Sequence, residues 1–104
     1  MKRARVLVDG TPAGELQEIE RGKKYRFIYL ENYQGSSVSL NMPLTKLSYE
    51  YDRFPPFFEG LLPEGIMLEG LLRYAHIDRH DLMTQIITVG ADLVGNVTVE
   101  GTIK

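Results

Sequence analysis

One segment of twelve residues, from Phe54 to Gly65, limits the possible folds of this chain more than any other. It contains three phenylalanines, two leucines, three prolines and two glycines. These prolines and glycines interrupt any long helix, and the segment is too rigid for a flexible linker. We therefore predict a short helical turn that stops at Gly60 and a second helix that begins at Pro63, since proline fits the first helical position. The phenylalanines are predicted to plug the core.

The composition is that of an ordinary folded domain. The chain has 104 residues, 43% hydrophobic and 25% charged, which is enough for a modest core and unlike a disordered segment. No apolar run reaches the roughly 20 residues that span a bilayer, and the basic start lacks the apolar region of a signal peptide. There is no cysteine, hence no disulfide and no thiolate ligand. We expect one domain over residues 1–104, in the cytoplasm and without membrane contact.

The first half of the chain has the alternating pattern of β-strands. Strands are predicted at residues 4–9, 15–20, 25–30 and 37–42, with a turn cluster at 9–14 and loop or extended chain at 44–53. In the third strand the aromatic residues fall on one face of the pleat: Tyr25, Phe27 and Tyr29. In the fourth strand the residues predicted to face the core alternate: Val38, Leu40 and Met42.

The second half changes to helical spacing. A helix is predicted from Pro63 to about Tyr74, with an apolar stripe formed by Met67, Leu68, Leu71, Leu72 and Ala75. Asp78 is predicted to cap the next helix, with Asp81 three residues later and Gly90 just past its end. A last strand is predicted at 96–100. The fold class is therefore α+β, with a small antiparallel sheet (four N-terminal strands plus a C-terminal strand) packed with two to three short helices.

Catalytic and metal-binding patterns are almost absent. Residues 90–95 have the glycine spacing of a P-loop but lack the lysine that would follow it. There is no glycine-rich kinase loop, catalytic loop or magnesium-binding motif of a kinase. His76 and His80 are four residues apart, as zinc ligands on one helix would be, but a helix start at Asp78 breaks that geometry. We expect no enzymatic activity, no cofactor and no metal.

The charge distribution favours a protein partner over a nucleic acid. The net charge of −2 gives no general support for binding a polyanion. Tyr25 and Phe27 lie among basic residues, which is the arrangement of an RNA base-stacking strand, but no RNA-binding motif accompanies them. From Glu50 to Glu69 there are five acidic residues and one basic residue. This stretch is either a solvated acidic face or a docking surface for a basic partner.

An ordered set of motifs resembles the N-terminal subdomain of HipA-family serine/threonine kinases. The motifs are V-L-V-D-G at 6–10, Y-R-F-I-Y at 25–29, S-V-S-L-N-M-P-L at 37–44, F-P-P-F-F-E-G-L-L-P-E-G at 54–65 and G-A-D-L-V-G-N-V-T-V at 90–99. Each motif is weak alone, but the set spans roughly residues 4–100. In full-length kinases of the family this subdomain precedes the catalytic body, whereas this chain stops at Lys104.

The resemblance implies a partnership with such a kinase. Because the chain starts at Met1 and ends with the domain, we expect a free-standing protein rather than a fragment of a full-length kinase. Free-standing relatives occur in three-component HipBST-type toxin–antitoxin systems, and this chain resembles their antitoxin, the HipS-like protein. The implied role is to bind in trans, and neutralise, a HipA-like kinase toxin that lacks this subdomain, by occluding its cleft or by holding its lobes inactive. The alternatives are a module that bridges the kinase to a helix-turn-helix DNA-binding protein without touching nucleic acid itself, an N-terminal fragment of a full-length HipA-like kinase, and a generic binding module.

The predicted partner contact lies around the turn that starts the second helix. An apolar pair at Ile66 and Met67 would anchor a partner if it were exposed, although Met67 is equally explained by the core stripe. Similar proteins often carry a larger aromatic or a basic residue near Ile66, so the resemblance does not carry an aromatic plug over to this chain. The predicted partner-binding residues are Glu59, Glu64, Gly65, Ile66, Met67 and Glu69.

Overall fold

Three strands joined by hairpins form the centre of the sheet. They are β1 (Lys2–Val8), β2 (Thr11–Glu20) and β3 (Lys24–Tyr29), and they pair antiparallel in chain order. The computed structural model describes residues 2–93 and 95–101. Strands at the positions of the first three predicted ones confirm that alternation in the sequence marks the sheet.

The turn between β1 and β2 is shorter than predicted. Only Asp9 and Gly10 form it, with φ values of 51° and 82°. Two positive φ values give the mirror-image turn that joins two strands through two residues, and Asp-Gly is a favoured pair for it. The prediction of a turn over residues 9–14 is therefore wrong at its end, because β2 already starts at Thr11.

Two short strands form the edges of the sheet. β4 (Ser48–Tyr51) pairs with β3, and β5 (Val97–Gly101) pairs with β1. The order across the sheet is β4-β3-β2-β1-β5, and each pair of neighbours is antiparallel. Four N-terminal strands and one C-terminal strand were predicted, and that arrangement is confirmed.

Three helices lie between β4 and β5 in the chain. They are α1 (Pro56–Glu59), α2 (Gly65–Ala75) and α3 (Leu82–Val89), and a short 3₁₀ helix (Gly90–Asp92) follows α3. The helical turn predicted to stop at Gly60 is confirmed, since Gly60 is the residue that ends α1. Antiparallel sheet and short helices together confirm the α+β class.

The core lies between one face of the sheet and the helical segment. The strands contribute buried side chains that the pairing register places on one face: Ala4, Val6, Leu16, Tyr25, Phe27, Tyr29, Val97 and Val99. The helical segment contributes Phe54, Phe58, Leu62, Met83 and Ile86. Phe54 and Phe58 are buried and Phe57 is half-buried, so the predicted plug is confirmed. The RNA-stacking alternative is wrong, because the rings of Tyr25 and Phe27 are inside the core.

The other face of the sheet is covered by ion pairs. Arginines and glutamates face each other across strands as Arg3–Glu15, Arg5–Glu100 and Arg26–Glu50, at 3.9, 3.6 and 3.5 Å. Exposed pairs of this kind contribute at most about 1 kcal/mol each. The sheet therefore buries one face and presents the other to water, as antiparallel sheets commonly do.

The strand predicted at residues 37–42 is wrong. This segment is irregular, and the hydroxyl of Tyr29 satisfies its backbone by accepting from the Val38 N–H at 2.8 Å and donating to the Met42 carbonyl at 2.5 Å. Val38 and Met42 are buried as predicted, but Leu40 is 96% exposed. The alternating pattern therefore arises from a loop in which Val38 and Met42 point into the core and Leu40, between them, points into solvent.

The fourth strand lies instead within the segment predicted as loop or extended chain. β4 places Tyr49 opposite Phe27 and Tyr51 opposite Tyr25, so both tyrosines pack against the core from its edge. The Tyr49 hydroxyl also donates to the carbonyl of Pro43 at 2.6 Å. Four residues with mixed polarity are too short to give a clear strand pattern, which is why the sequence did not reveal them.

The boundaries of the two longer helices also differ from prediction. α2 starts at Gly65 rather than Pro63, with Glu64 in an extended conformation before it. The cap of α3 is Asp81 and not Asp78: Asp81 accepts from the Thr84 N–H at 3.1 Å, whereas Asp78 accepts from His80 N–H within the preceding turn. Of the two predicted acids, Asp81 lies nearer the helix, and it is the residue that caps α3.

Two further local predictions have clear outcomes. His76 ends α2 in a left-handed conformation and His80 lies in the following turn, so they share no helical face, as the sequence analysis expected. Gly90 directly follows the end of α3, as predicted, but its φ of −57° is helical and not the left-handed value of a C′ glycine. It is a glycine for packing reasons, because a Cβ there would lie 1.9 Å from the carbonyl oxygen of Val99.

Candidate partner-binding surface

Helix α2 is the least buried helix of the fold. None of its residues is fully buried, although its sequence is amphipathic. Leu68, Leu71, Leu72 and Ala75 are half-buried, so these four members of the predicted stripe do face the protein. The fifth, Met67, is 71% exposed, and the core interpretation of Met67 is wrong.

Three large apolar side chains of α2 point into solvent. Ile66 is 87% exposed, Met67 is 71% exposed and Tyr74 is 90% exposed. At 100° per residue, Met67 and Tyr74 lie about 20° apart around the helix, and Ile66 lies about 100° from Met67. Burying one such side chain contributes about 1.5–3 kcal/mol. A partner that covered this face would therefore gain a large binding free energy. Ile66 and Met67 were predicted from the sequence, whereas Tyr74 was not, although its position seven residues after Met67 is a signal of a shared helical face.

The start of α2 is open to solvent. Gly65 has φ +61°, a conformation that favours glycine, and no heavy atom lies within 4 Å of the position of a Cβ there. Glu64 precedes it and makes no capping hydrogen bond with its side chain. The glycine lets the chain turn sharply out of Pro63 into the helix, and the Glu64 carboxylate is left exposed beside Ile66.

The three predicted acidic contacts are not equivalent. Glu69 forms an ion pair with Arg79 at 2.8 Å, which connects α2 to the turn before α3. Glu59 and Glu64 are exposed, and neither belongs to an ion pair among residues 2–93 and 95–101. Chain position thus places Glu64 beside the Ile66–Met67 pair, whereas Glu69 already has a partner within the domain.

An apolar groove lies alongside α2, and the sequence analysis did not foresee it. It has a volume of about 780 Å³ and is lined by residues 60–63, by one side of α2 and by the region where α3 ends. Met67, Gly70, Leu71, Tyr74 and Ala75 form the α2 side. The signal that was available in the sequence is Gly70, since a glycine in a helix interior weakens the helix and leaves room beside it for a partner group.

A second cavity, of about 810 Å³, lies where the β1–β2 turn meets residues 30–36. Polar and turn residues provide most of its lining, including Asp9, Glu31, Asn32 and Gln34. Within the described part of the chain, no group of three or more His, Cys, Asp or Glu side chains is arranged to hold a metal ion. No helix in that part is long and apolar enough to cross a membrane.

The titratable groups with shifted pKa values serve the fold. Burial raises the pKa of Tyr25, and its hydroxyl donates to Glu18 at 2.9 Å, which strengthens the shift. The pKa of Asp81 lies below its usual range. Burial alone would raise this pKa, but the hydrogen bonds from Lys2 and Thr84 stabilise the ionised carboxylate and outweigh burial. Neither group lies on the exposed face of α2, so that surface offers contact area rather than acid–base chemistry.

A comparison with family models decides the affiliation of the chain. The model of the HipA N-terminal domain matches residues 4–100. This chain belongs to the HipA N-terminal domain family. The resemblance inferred from the ordered motifs is thereby confirmed over the same range, and the whole of α2 lies inside it.

The chain is also similar to individual proteins over nearly its whole length. An uncharacterized protein of Haemophilus influenzae is 28% identical over 100 residues, which cover 96% of this chain and 92% of that protein. A solved structure, "N-terminal domain of HipA toxin", is 27% identical with a TM-score of 0.78 and covers 100% of this chain and 95% of that one. Both relatives therefore span little more than this domain.

Proposed function

We propose that this chain is an antitoxin that binds in trans a HipA-like serine/threonine kinase toxin lacking this domain, and neutralises it in the cytoplasm. Membership of the HipA N-terminal domain family supports a place in a HipA-related system. The solved relative bears the name of a toxin's N-terminal domain, which supports docking against the body of such a toxin. The chain acts by binding and not by catalysis.

The observation that carries the proposal is the exposed apolar face of α2. Ile66, Met67 and Tyr74 lie in solvent on a helix with no buried residue. Binding energy at interfaces is concentrated in a few such side chains that enter a partner's pocket. An interface of standard size, about 800 Å² on each partner, would cover this face together with the start of the helix.

The acidic residues around this face define the complementary charge on the kinase. Glu59 and Glu64 flank the corner that leads into α2 and have no ion-pair partner within the described residues. A basic surface on the kinase would steer association and fix the orientation of the apolar anchor. Glu69 contributes less, because Arg79 already neutralises it.

The first experiment is recovery of the partner. The tagged chain is isolated from its native cells, and proteins that co-purify in stoichiometric amounts are identified by mass spectrometry. Two variants are run in parallel: Ile66→Asp with Met67→Asp, and Lys23→Asp in the turn before β3, which alters the net charge by the same amount. We expect a HipA-like kinase lacking this domain to co-purify with the wild type and with Lys23→Asp, but not with the double variant.

Each other outcome has a definite meaning. A full-length kinase that carries its own copy of this domain, or no kinase at all, contradicts the proposal. A kinase that binds equally to all three proteins removes α2 from the interface but leaves the partnership. A kinase that binds together with a helix-turn-helix protein, and whose activity is unaffected by this chain, assigns a bridging role.

A further inference from the structure

The groove beside α2 has the shape and lining of a receptor for a helix. Its volume of about 780 Å³ is in the range of sites that hold a ligand. Apolar side chains come from three directions: Leu61 and Leu62 from the corner, Leu71 from α2, and Val89 and Leu93 from the region where α3 ends. α2 has eleven residues and is about 16 Å long, so a segment of about three helical turns would lie along it.

Acidic residues predominate around the groove, and Arg73, which adjoins the lining residue Tyr74 in the chain, is the one lysine or arginine next to a lining residue. Asp92 is the only carboxylate among its lining residues, and no lysine or arginine lines it. Glu59 and Glu64 adjoin the lining residues Gly60 and Pro63 in the chain. None of these three acids takes part in an ion pair between described residues.

We propose that this groove binds an amphipathic helix whose apolar ridge is flanked by lysine or arginine. The inference rests on the proposed function, since we assign that helix to the partner kinase. Apolar residues at spacings of three and four would lie against Leu71 and Val89, which is the usual way in which a helix occupies a groove. Basic residues beside the ridge would face Glu59, Glu64 and Asp92.

The charge also disfavours a second copy of this chain as the occupant. A second copy has a net charge of −2, so it offers no overall charge complementarity to Glu59, Glu64 and Asp92. Like charges placed opposite each other at an interface oppose association. A basic partner gains from the same charges, so the acidic rim selects for it.

Gly70 makes the proposal testable without damage to the fold. It lines the groove, and no heavy atom lies within 4 Å of the position of a Cβ there. A phenylalanine at this position would fill the groove, and it would also remove the helix-weakening effect of glycine, about 1 kcal/mol relative to alanine. Gly70→Phe should therefore be at least as stable as the wild type. Leu40→Ser is the control, because Leu40 is 96% exposed in the loop between β3 and β4 and does not line the groove.

The test is an NMR titration of the ¹⁵N-labelled chain with synthetic helical peptides, which needs no kinase. One peptide of about 14 residues carries leucine at spacings of three and four with lysine elsewhere, and the second carries glutamate in place of lysine. We expect the lysine peptide to shift amide signals of residues 60–63, 70–75 and 88–93 and to bind at least about tenfold more tightly than the glutamate peptide. Gly70→Phe should weaken that binding at least about tenfold, and Leu40→Ser should retain it.

Three results would overturn the proposal: equal binding of both peptides, shifts located elsewhere, or unchanged binding to Gly70→Phe. The outcome is separable from that of the proposed function. If the kinase is recovered and Gly70→Phe binds it as the wild type does, the groove is not its receptor but the antitoxin role stands. If no kinase is recovered although the lysine peptide binds as expected, the groove is a receptor for basic helices and the antitoxin role fails.

Discussion

The Nζ atom of Lys2 lies 2.7 Å from Oδ2 of Asp81, so an ion pair joins the first strand to the cap of the last helix. Lys2 also donates to the hydroxyl of Thr84 at 2.7 Å, and that hydroxyl donates to Asp81 at 2.8 Å. The three side chains form a closed network. It fixes α3 against β1, and α3 packs in turn on β5.

Asp81→Asn tests the charge in this network, because asparagine keeps the helix cap but not the ion pair. The pKa of Asp81 is lowered in the folded protein from its ordinary value of 3.8. The ionised carboxylate therefore stabilises the fold at every pH above that ordinary pKa. This stabilisation is lost as the pH falls through the lowered pKa of the folded protein. We expect the variant to lose about 0.5–1 kcal/mol at neutral pH, as for a partly exposed pair.

Urea unfolding at several pH values measures this effect. The difference in the free energy of unfolding between the wild type and Asp81→Asn should become smaller as the pH falls below the ordinary aspartate pKa. Glu100→Gln is the control, since its partner Arg5 is 3.6 Å away and both side chains are exposed. A difference for Asp81→Asn that is independent of pH would show that the ion pair contributes nothing.

Gly90→Ala should be strongly destabilising. The new Cβ would lie 1.9 Å from the carbonyl oxygen of Val99 in β5, and a backbone atom in a sheet cannot move aside. Overpacking of this kind typically removes about 1–3 kcal/mol of stability. Gly60→Ala is the matched control, because its nearest neighbours would be 3.5 Å away, at ordinary contact distance. Thermal unfolding of the two variants should differ clearly, and equal melting temperatures would contradict the close packing of the 3₁₀ helix on β5.

Tyr29→Phe should loosen the loop between β3 and β4. The Tyr29 hydroxyl both accepts from Val38 and donates to Met42, so its removal leaves two buried backbone groups without this partner. Each such group costs about 1–3 kcal/mol if nothing replaces the bond. Hydrogen exchange should become faster at residues 38–42. Tyr33→Phe is the control, because it removes only an exposed hydrogen bond to Ser36 and should change the exchange rates little. Similar exchange rates in the two variants would show that the Tyr29 hydroxyl does not hold this loop in place.

The sequence predicts the sheet better than the connections between its parts. Tyr25, Phe27 and Tyr29 give a period of two that indicates a strand, and the strand and the burial of all three confirm it. The same period at Val38, Leu40 and Met42 arises in a loop, because one tyrosine hydroxyl supplies the hydrogen bonds that a neighbouring strand would have supplied. A hydroxyl nine or more residues away is invisible to local periodicity.

The candidate surface shows the same limit. Ile66 and Met67 follow a Pro-Glu-Gly start, and this local signal indicated an anchor that is indeed exposed. Its role in binding stays a prediction. Tyr74 and the groove depend on how α2 lies relative to α3, which is a property of tertiary packing. The ion pair that occupies Glu69 likewise depends on the position of Arg79, ten residues further along the chain.

The double variant Ile66→Asp with Met67→Asp should leave the fold intact. Both side chains lie in solvent, so the free energy of unfolding and the circular dichroism spectrum should match the wild type within about 0.5 kcal/mol. A larger loss of stability would mean that these side chains support the domain itself, and the variant could then not report on binding.

The most direct measurement of the central claim is autophosphorylation of the purified partner kinase during titration with this chain. The account predicts that activity falls to background at one equivalent of wild type or of Lys23→Asp, and that the Ile66→Asp, Met67→Asp variant needs at least about a tenfold higher concentration. Full kinase activity in the presence of saturating, stoichiometrically bound wild-type chain would contradict the antitoxin role.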